Sequence, residues 1–148
     1  MKKAILPFLF ILFVGCGVTQ NKETLQISEE EHKAFEAKEG EEVRIEDEAS
    51  EYEIIIIDPG FYNWLQTIAR PQGYYSQSFL ETRNEIYVIN WNQRVLLPNQ
   101  YDRRLYELQI NYDPNVDYGY DVNYKLYNYF IYFQRRYKQR LGPYLPRI

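Results

Sequence analysis

Past residue 51 the chain is a succession of apolar runs separated by Pro, Gly, Asn and Asp, and the spacing within each run predicts its conformation. The first, Tyr52-Glu53-Ile54-Ile55-Ile56-Ile57, is β-branched and nearly continuous, which predicts a strand buried on both faces. Asp58-Pro59-Gly60 stops it, since an Asp side chain can cap a helix and Pro suits the first helical position. A short helix is expected over residues 61–69, carrying Trp64, Leu65 and Ile68, and Arg70-Pro71-Gln72-Gly73 reads as a turn. Ser78 with Glu81 three residues on makes a capping box. A second helix is therefore expected over residues 78–96, with Leu80, Tyr87, Trp91 and Val95 on one face. LYELQINY, residues 105–112, predicts a second strand, and residues 113–119 a loop. Asp121 then caps a last helix over residues 122–141, with Leu126, Phe130, Phe133, Tyr137 and Leu141 as its apolar stripe. Arg135, Arg136, Lys138 and Arg140 crowd its end, where cations favour the helix dipole, and Gly142-Pro143 stops it. The expected fold is a small single α+β domain over residues 51–148, in the order strand-helix-helix-strand-helix.

Ahead of that domain the pattern changes twice. Lys2 and Lys3 precede an apolar run from Ala4 to Val14, the layout of an export signal over residues 1–15. The run falls short of the ~20 apolar residues that a membrane-spanning helix needs. Gly15 and the chain's only cysteine, Cys16, follow it, with Phe13 where Leu is usual, and together they resemble the lipobox of bacterial lipoproteins. That resemblance implies cleavage before Cys16, diacylglycerol on its thiol and acylation of the new amine, which anchors a protein stably. Residues 16–50 are polar and acid-heavy. Over residues 21–51 twelve acids face four bases, a net charge of −8. Such a stretch buries too little apolar surface to offset the entropy of ordering. It is expected to be a disordered tether with a reach of roughly 30 Å.

The stretches YEIIIIDPGFYNWL, YYSQSFLETRNEIYVINWNQRVL and YDPNVDYGYDVNYKLYNYF resemble an uncharacterised family of lipoproteins from Bacteroidota, especially flavobacteria. The resemblance covers the expected folded domain, and DPGF and YDPNVDYG are its most specific segments. It implies an envelope location and carries no assigned catalytic residue. Gly17 to Glu23 lack the acidic cluster that marks surface lipoproteins of that lineage, and residue 17 is not the Asp of inner-membrane retention. The expected address is the periplasmic face of the outer membrane.

Composition narrows the chemistry. The single histidine, His32, lies in the expected tether, so His-based metal sites and Ser-His or Cys-His catalysis have no partner. There is no phosphate-binding Gly-rich loop and no nucleophile elbow. Asp58, Glu81, Glu85, Asp113, Asp117 and Asp121 remain as carboxylates for a glycosidase-type acid/base pair, although Asp58, Glu81 and Asp121 also serve as caps. In the loop after the second strand, Asp113, Asn115 and Asp117 alternate as in half of a calcium loop, yet Tyr118 stands where Gly is required and Tyr124 where Glu is required. A chain of Asx turns accounts for the same residues without a cation. All sixteen tyrosines lie between Tyr52 and Tyr144. They serve either as core filler with hydroxyls reaching water or as an interface. Tyr124, Ile131 and Tyr132 fall off the last helix's stripe and are the expected exposed binding face. With eleven bases against nine acids over residues 52–148, nucleic-acid binding is not expected. The functional expectation is a non-catalytic binding or assembly lipoprotein, held by lipid on Cys16, with an envelope protein or glycan as partner. A carboxylate-dependent hydrolase of an envelope glycan is the alternative.

Overall fold

The computed structural model describes residues 25–38, 40, 42–47, 52–56 and 58–148. The expected export signal, Cys16 and the tether up to residue 24 lie outside them. The elements run α1 (Glu29–Phe35), β1 (Val43–Asp47), β2 (Tyr52–Ile56), α2 (Pro59–Thr67), α3 (Gln77–Val95) and α4 (Gly119–Arg136). The α+β class stands. The order does not: a helix and a strand lie inside the stretch expected to be tether, and the expected strand over 105–112 is not one.

Helix α1 starts where Ser28 accepts a hydrogen bond from the Glu31 amide at 3.1 Å, with Glu29, Glu30 and Glu31 at the positive end of the helix dipole. Ala34 and Phe35 are buried in the core. Strands β1 and β2 pair antiparallel, with Val43 opposite Ile56 and Ile45 opposite Ile54. Val43, Ile45, Tyr52 and Ile56 face inward, while Arg44, Glu46, Glu53 and Ile55 face out. The isoleucine run is therefore buried on one face, and Ile55 is 40% exposed. Outside, Arg44 bridges Glu42 and Glu53 at 3.3 and 3.2 Å.

Asp58 caps α2 through Gly60 N at 2.9 Å, with Pro59 at the start of the helix as expected. Gly60 allows a close approach that no other residue could. A Cβ there would lie 2.8 Å from both the Phe35 carbonyl and the Tyr132 hydroxyl. Helix α3 begins slightly earlier than expected: Ser76, not Ser78, accepts from Phe79 N, and Glu81 accepts from the Gln77 side chain. Leu80, Asn84, Tyr87, Val88 and Trp91 form its buried face.

The segment expected to be a second strand is an irregular strap: it leaves a turn in which the Leu105 and Tyr106 amides bond back to the Asp102 carbonyl, and it bends at Tyr106 and Leu108. Asn92 of α3 donates to the Ile110 carbonyl and accepts from its amide, at 2.9 and 2.8 Å, and Trp91 donates to the Leu108 carbonyl at 2.9 Å. Two side chains thus supply the hydrogen bonds that a neighbouring strand would have made.

Helix α4 is the centre of the molecule. It packs against α3, α2 and β1, and residues 122–135 are buried except Lys125 and Tyr129, which are half-buried. Asp121 does not cap it; it pairs with Lys125 at 2.7 Å and accepts from Gln72 at 3.0 Å. The helix ends at Arg136, five residues short of expectation. There Lys138 takes a left-handed φ of 51°, and the Gln134 side chain turns back to accept from Leu141 N at 2.7 Å.

Among the described residues, one buried ion pair ties the segment around Gln26 to Glu31 and the C-terminal tail to this centre. Glu31 is fully buried and Arg135 is 5% exposed. Arg135 Nε and Nη2 donate to the two Glu31 carboxylate oxygens, both at 2.5 Å. Its remaining donors reach the Pro146 and Gln26 carbonyls at 2.8 and 3.0 Å, and Trp64 Nε1 donates to Glu31 at 3.0 Å. Removing one partner of a buried pair strands the other in low dielectric, which costs ~3–5 kcal/mol. Glu31→Ala is expected to lower unfolding free energy by that amount in urea titration. An unchanged midpoint would place residues 25–47 outside the cooperative unit.

Candidate binding groove

Between β2 and the strap runs a groove of about 710 Å³. All of Tyr52 to Ile56 line it on one side and Glu107 to Asn111 on the other. A strand that showed its face to a cavity would present alternate residues, so β2 presents its edge. Among the described residues no backbone hydrogen bond joins the two walls. The strap's inner carbonyls are held by Trp91 and Asn92, and β2 is paired only with β1 among the described residues. The floor is aromatic: Trp91, Tyr129, Tyr132, Phe133 and Tyr137. On the rim Leu108 is 77% exposed, an unusual position for so large an apolar side chain beside a concave surface.

Asp58 forms the polar end of the groove. While its Oδ1 caps α2, its Oδ2 accepts from the hydroxyls of Tyr132 at 2.7 Å and Tyr137 at 3.5 Å. Burial, and then the Asp58 carboxylate, push the phenolic pKa of Tyr132 and Tyr137 up; at Tyr129 burial leads, followed by Tyr137 and Asp58. Tyr132 and Tyr137 act here as hydrogen-bond donors rather than bases. Arg104, on the strap side, is oriented by Asp102, whose carboxylate takes its Nη2 at 2.7 Å and Nε at 3.1 Å and is held down at about 2 by that guanidinium. The groove's other carboxylates are Glu53, bridged to Arg44, and Glu107, exposed on the rim.

The residues expected to form an exposed binding face are elsewhere. Tyr124, Ile131 and Tyr132 are 7%, 2% and 0% exposed, because α2 and β1 pack on α4 and Phe35 of α1 lies against the Tyr132 ring. The two tyrosine hydroxyls are spent internally, Tyr124 donating to the Arg70 carbonyl at 2.8 Å and Tyr132 to Asp58. Asp113 accepts from Asn115 N and Nδ2, both at 2.9 Å, and Asp117 accepts from Gly119 N at 2.9 Å and Gln77 at 2.8 Å. These are Asx turns. Among the described residues no group of three His, Cys, Asp or Glu is placed to hold a metal ion, and no helix is long and apolar enough to cross a membrane. The basic end of α4 is largely occupied: Arg135 is in the buried pair, Arg136 lies over the Phe35 ring, and Arg140 donates to the Gly142 and Pro143 carbonyls. Glu53, Arg104 and Glu107 had no sequence signal as groove residues, because the strap's hydrogen-bond partners are side chains of α3 and no strand pairing announced that it lies opposite β2.

Fold and groove together define an α+β domain built round one central helix, with an open strand edge beside an aromatic-floored slot. The chain belongs to a family of unknown function, DUF6146, whose model matches residues 6–144. No curated protein and no solved structure matches it.

The tyrosine-rich interior fixes how stability responds to alkali. Burial raises the phenolic pKa of Tyr52, Tyr87, Tyr106, Tyr112, Tyr124, Tyr127, Tyr129, Tyr132 and Tyr137 above the ordinary 10.0. Above that pH the unfolded chain has lost protons that the folded chain keeps, so stability falls as pH rises. Urea midpoints should be unaffected by these groups below about pH 10 and fall above it. Phenolate absorbance from the nine rings should appear only with unfolding.

Proposed function

We propose that the protein is a non-catalytic binding or assembly module of the bacterial cell envelope, anchored by lipid on Cys16 at the periplasmic face of the outer membrane. The groove is its working surface, and an extended segment of an envelope protein is the partner that fits it best. The observation that carries this reading is the edge of β2, which among the described residues pairs only with β1 and makes no backbone hydrogen bond to the strap across the groove. An unpaired strand edge offers a row of amides and carbonyls to an added strand, and pockets along it select alternate side chains. Here the pockets are the aromatic floor and the apolar rim of Ile55 and Leu108. The lipobox resemblance and the basic-then-apolar start support the anchor.

A carboxylate-dependent hydrolase acting on an envelope glycan is the second reading, and it draws on Glu53, Asp58 and Glu107 lining one groove. Against it, Asp58 is already committed to a helix cap and a tyrosine hydroxyl, and Glu53 to Arg44.

Position-specific crosslinking tests the groove. A photoreactive residue at Ile55 or Leu108 should capture the same envelope protein in intact cells. One at Ile89, 51% exposed on α3 and outside the groove, should not. Capture that is equal at all three positions would remove the groove from the account. Cys16→Ser should release the protein from the membrane fraction, and continued sedimentation with membranes would end the anchor reading.

A further inference from the structure

A second cleft, sharing no lining residue with the groove, is built where the C-terminal tail folds back on α3. Gly142 makes the turn at a φ of 111°, a conformation that side-chain-bearing residues rarely take, and an added Cβ would come within 3.1 Å of Ile86. Arg140 fixes the turn by donating to the Gly142 and Pro143 carbonyls at 3.1 and 2.6 Å. The tail then lays the Tyr144 ring on the guanidinium of Arg83, 3.2 Å from its centre, with Phe79 at 5.0 Å.

Stacking satisfies part of the charge but gives the N–H groups nothing to bond. Arg83 Nη1 is buried and has no hydrogen-bond acceptor among the described residues. That is costly for a cationic donor, and the great majority of buried polar atoms find a partner. The rest of the cleft explains what is missing. Its volume is about 500 Å³, and Arg83, Arg140 and Arg147 line it without a single Asp or Glu among the described residues. A cleft of that size falls within the ~300–1,000 Å³ usual for small-ligand sites. Tyr75, Tyr87 and Tyr127 also contribute to the wall. Burial raises the phenolic pKa of Tyr87 and Tyr127, with the Arg83 charge opposing it, so both hydroxyls stay protonated at neutral pH. Arg83, Tyr87 and Tyr127 thus bring donors to the cleft, and no carboxylate among the described residues lines it.

We propose that this cleft binds the phosphate group of a phosphorylated ligand, with the Arg83 guanidinium as its principal donor and Tyr144 as the ring that holds that guanidinium in place. Planar guanidinium forks match phosphate oxygens in pairs. Nη1 is closed off from water, so an anion supplies the acceptor it lacks only as the side chains around it shift. The phosphate could come from a soluble phosphate ester or from a phospholipid headgroup, and both present the same oxygens to the cleft.

The test uses the full chain in neutral detergent. Melting temperature is followed with added inorganic pyrophosphate against sodium chloride at matched ionic strength, because a ligand that binds only the folded state stabilises it by linkage. Pyrophosphate should raise the melting temperature beyond the chloride control. Arg83→Gln should fold, melt no lower than the native protein without ligand, and weaken pyrophosphate binding by about tenfold or more, while Arg83→Lys keeps part of it. Co-sedimentation with phosphatidylglycerol vesicles, again compared with Arg83→Gln, separates the sources. An Arg83-dependent gain with vesicles assigns a headgroup, and a gain with pyrophosphate alone assigns a soluble ligand. If neither probe acts on the native protein beyond the salt control, the proposal fails, whatever the variants do. An equal response in Arg83→Gln also overturns it.

Discussion

The Glu31–Arg135 pair is the constraint on which the rest of the fold depends. Taking two charges out of water costs several kcal/mol per ion even after relaxation, and that cost is recovered only when geometry and remaining hydrogen bonds are complete. Here they are. The guanidinium meets both carboxylate oxygens and two backbone carbonyls, and the carboxylate takes the Trp64 indole as well. Those partners come from the N-terminal segment, α2, α4 and the C-terminal tail. A misplaced element would leave a charge buried and unpaired, so the pair favours one arrangement of four separated stretches of chain over its competitors.

With α1 fixed in this way and β1 packed against α4, residues 122–135 keep little solvent face, and their side chains must find partners inside the protein. Tyr132 does so twice over. Its ring packs against Phe35, Phe61 and Trp64, and its hydroxyl donates to Asp58. Asp58 in turn caps α2 and marks the polar end of the groove. Tyrosine suits a small core of this kind because it brings a large apolar ring with a hydroxyl that can tie one element to another. The groove is the consequence at the sheet's other side. A two-stranded sheet has an edge to leave open, and the strap opposite takes its hydrogen bonds from α3 side chains instead of from β2.

Much of the second half was legible from residues alone. Asp58-Pro59 starts a helix, Leu80, Tyr87 and Trp91 share a buried face, and Asp113 and Asp117 make Asx turns, each because the signal is local. What could not be read was long-range. Residues 29–47 look like a solvated spacer by charge count, yet Glu31, Ala34, Phe35, Val43 and Ile45 are buried. Composition averages over a stretch, while packing needs only the few residues that face inward. The Val43-Arg44-Ile45-Glu46 alternation was a period-2 signal too short to outweigh the acids around it. Tyr124, Ile131 and Tyr132 were misplaced for the matching reason. A helix with Val122, Tyr124, Leu126, Tyr127, Phe130, Ile131, Tyr132 and Phe133 is apolar round most of its circumference, which calls for cover on a second side rather than for an exposed face. LYELQINY alternates as a strand should, but its partners are the side chains of Trp91 and Asn92, which no periodicity announces.

Native-state hydrogen exchange of the α1 amides measures most directly whether this acidic segment belongs to the cooperative fold. A helix of seven residues has little stability of its own. Protection there must come from the Glu31–Arg135 pair and from Ala34 and Phe35 in the core. The account predicts that the hydrogen-bonded amides of α1, that of Phe35 among them, open with the same free energy as the core of α4, and that Arg135→Met lowers both together. Exchange of those amides at random-coil rates in the native protein, with α4 still protected, would contradict it.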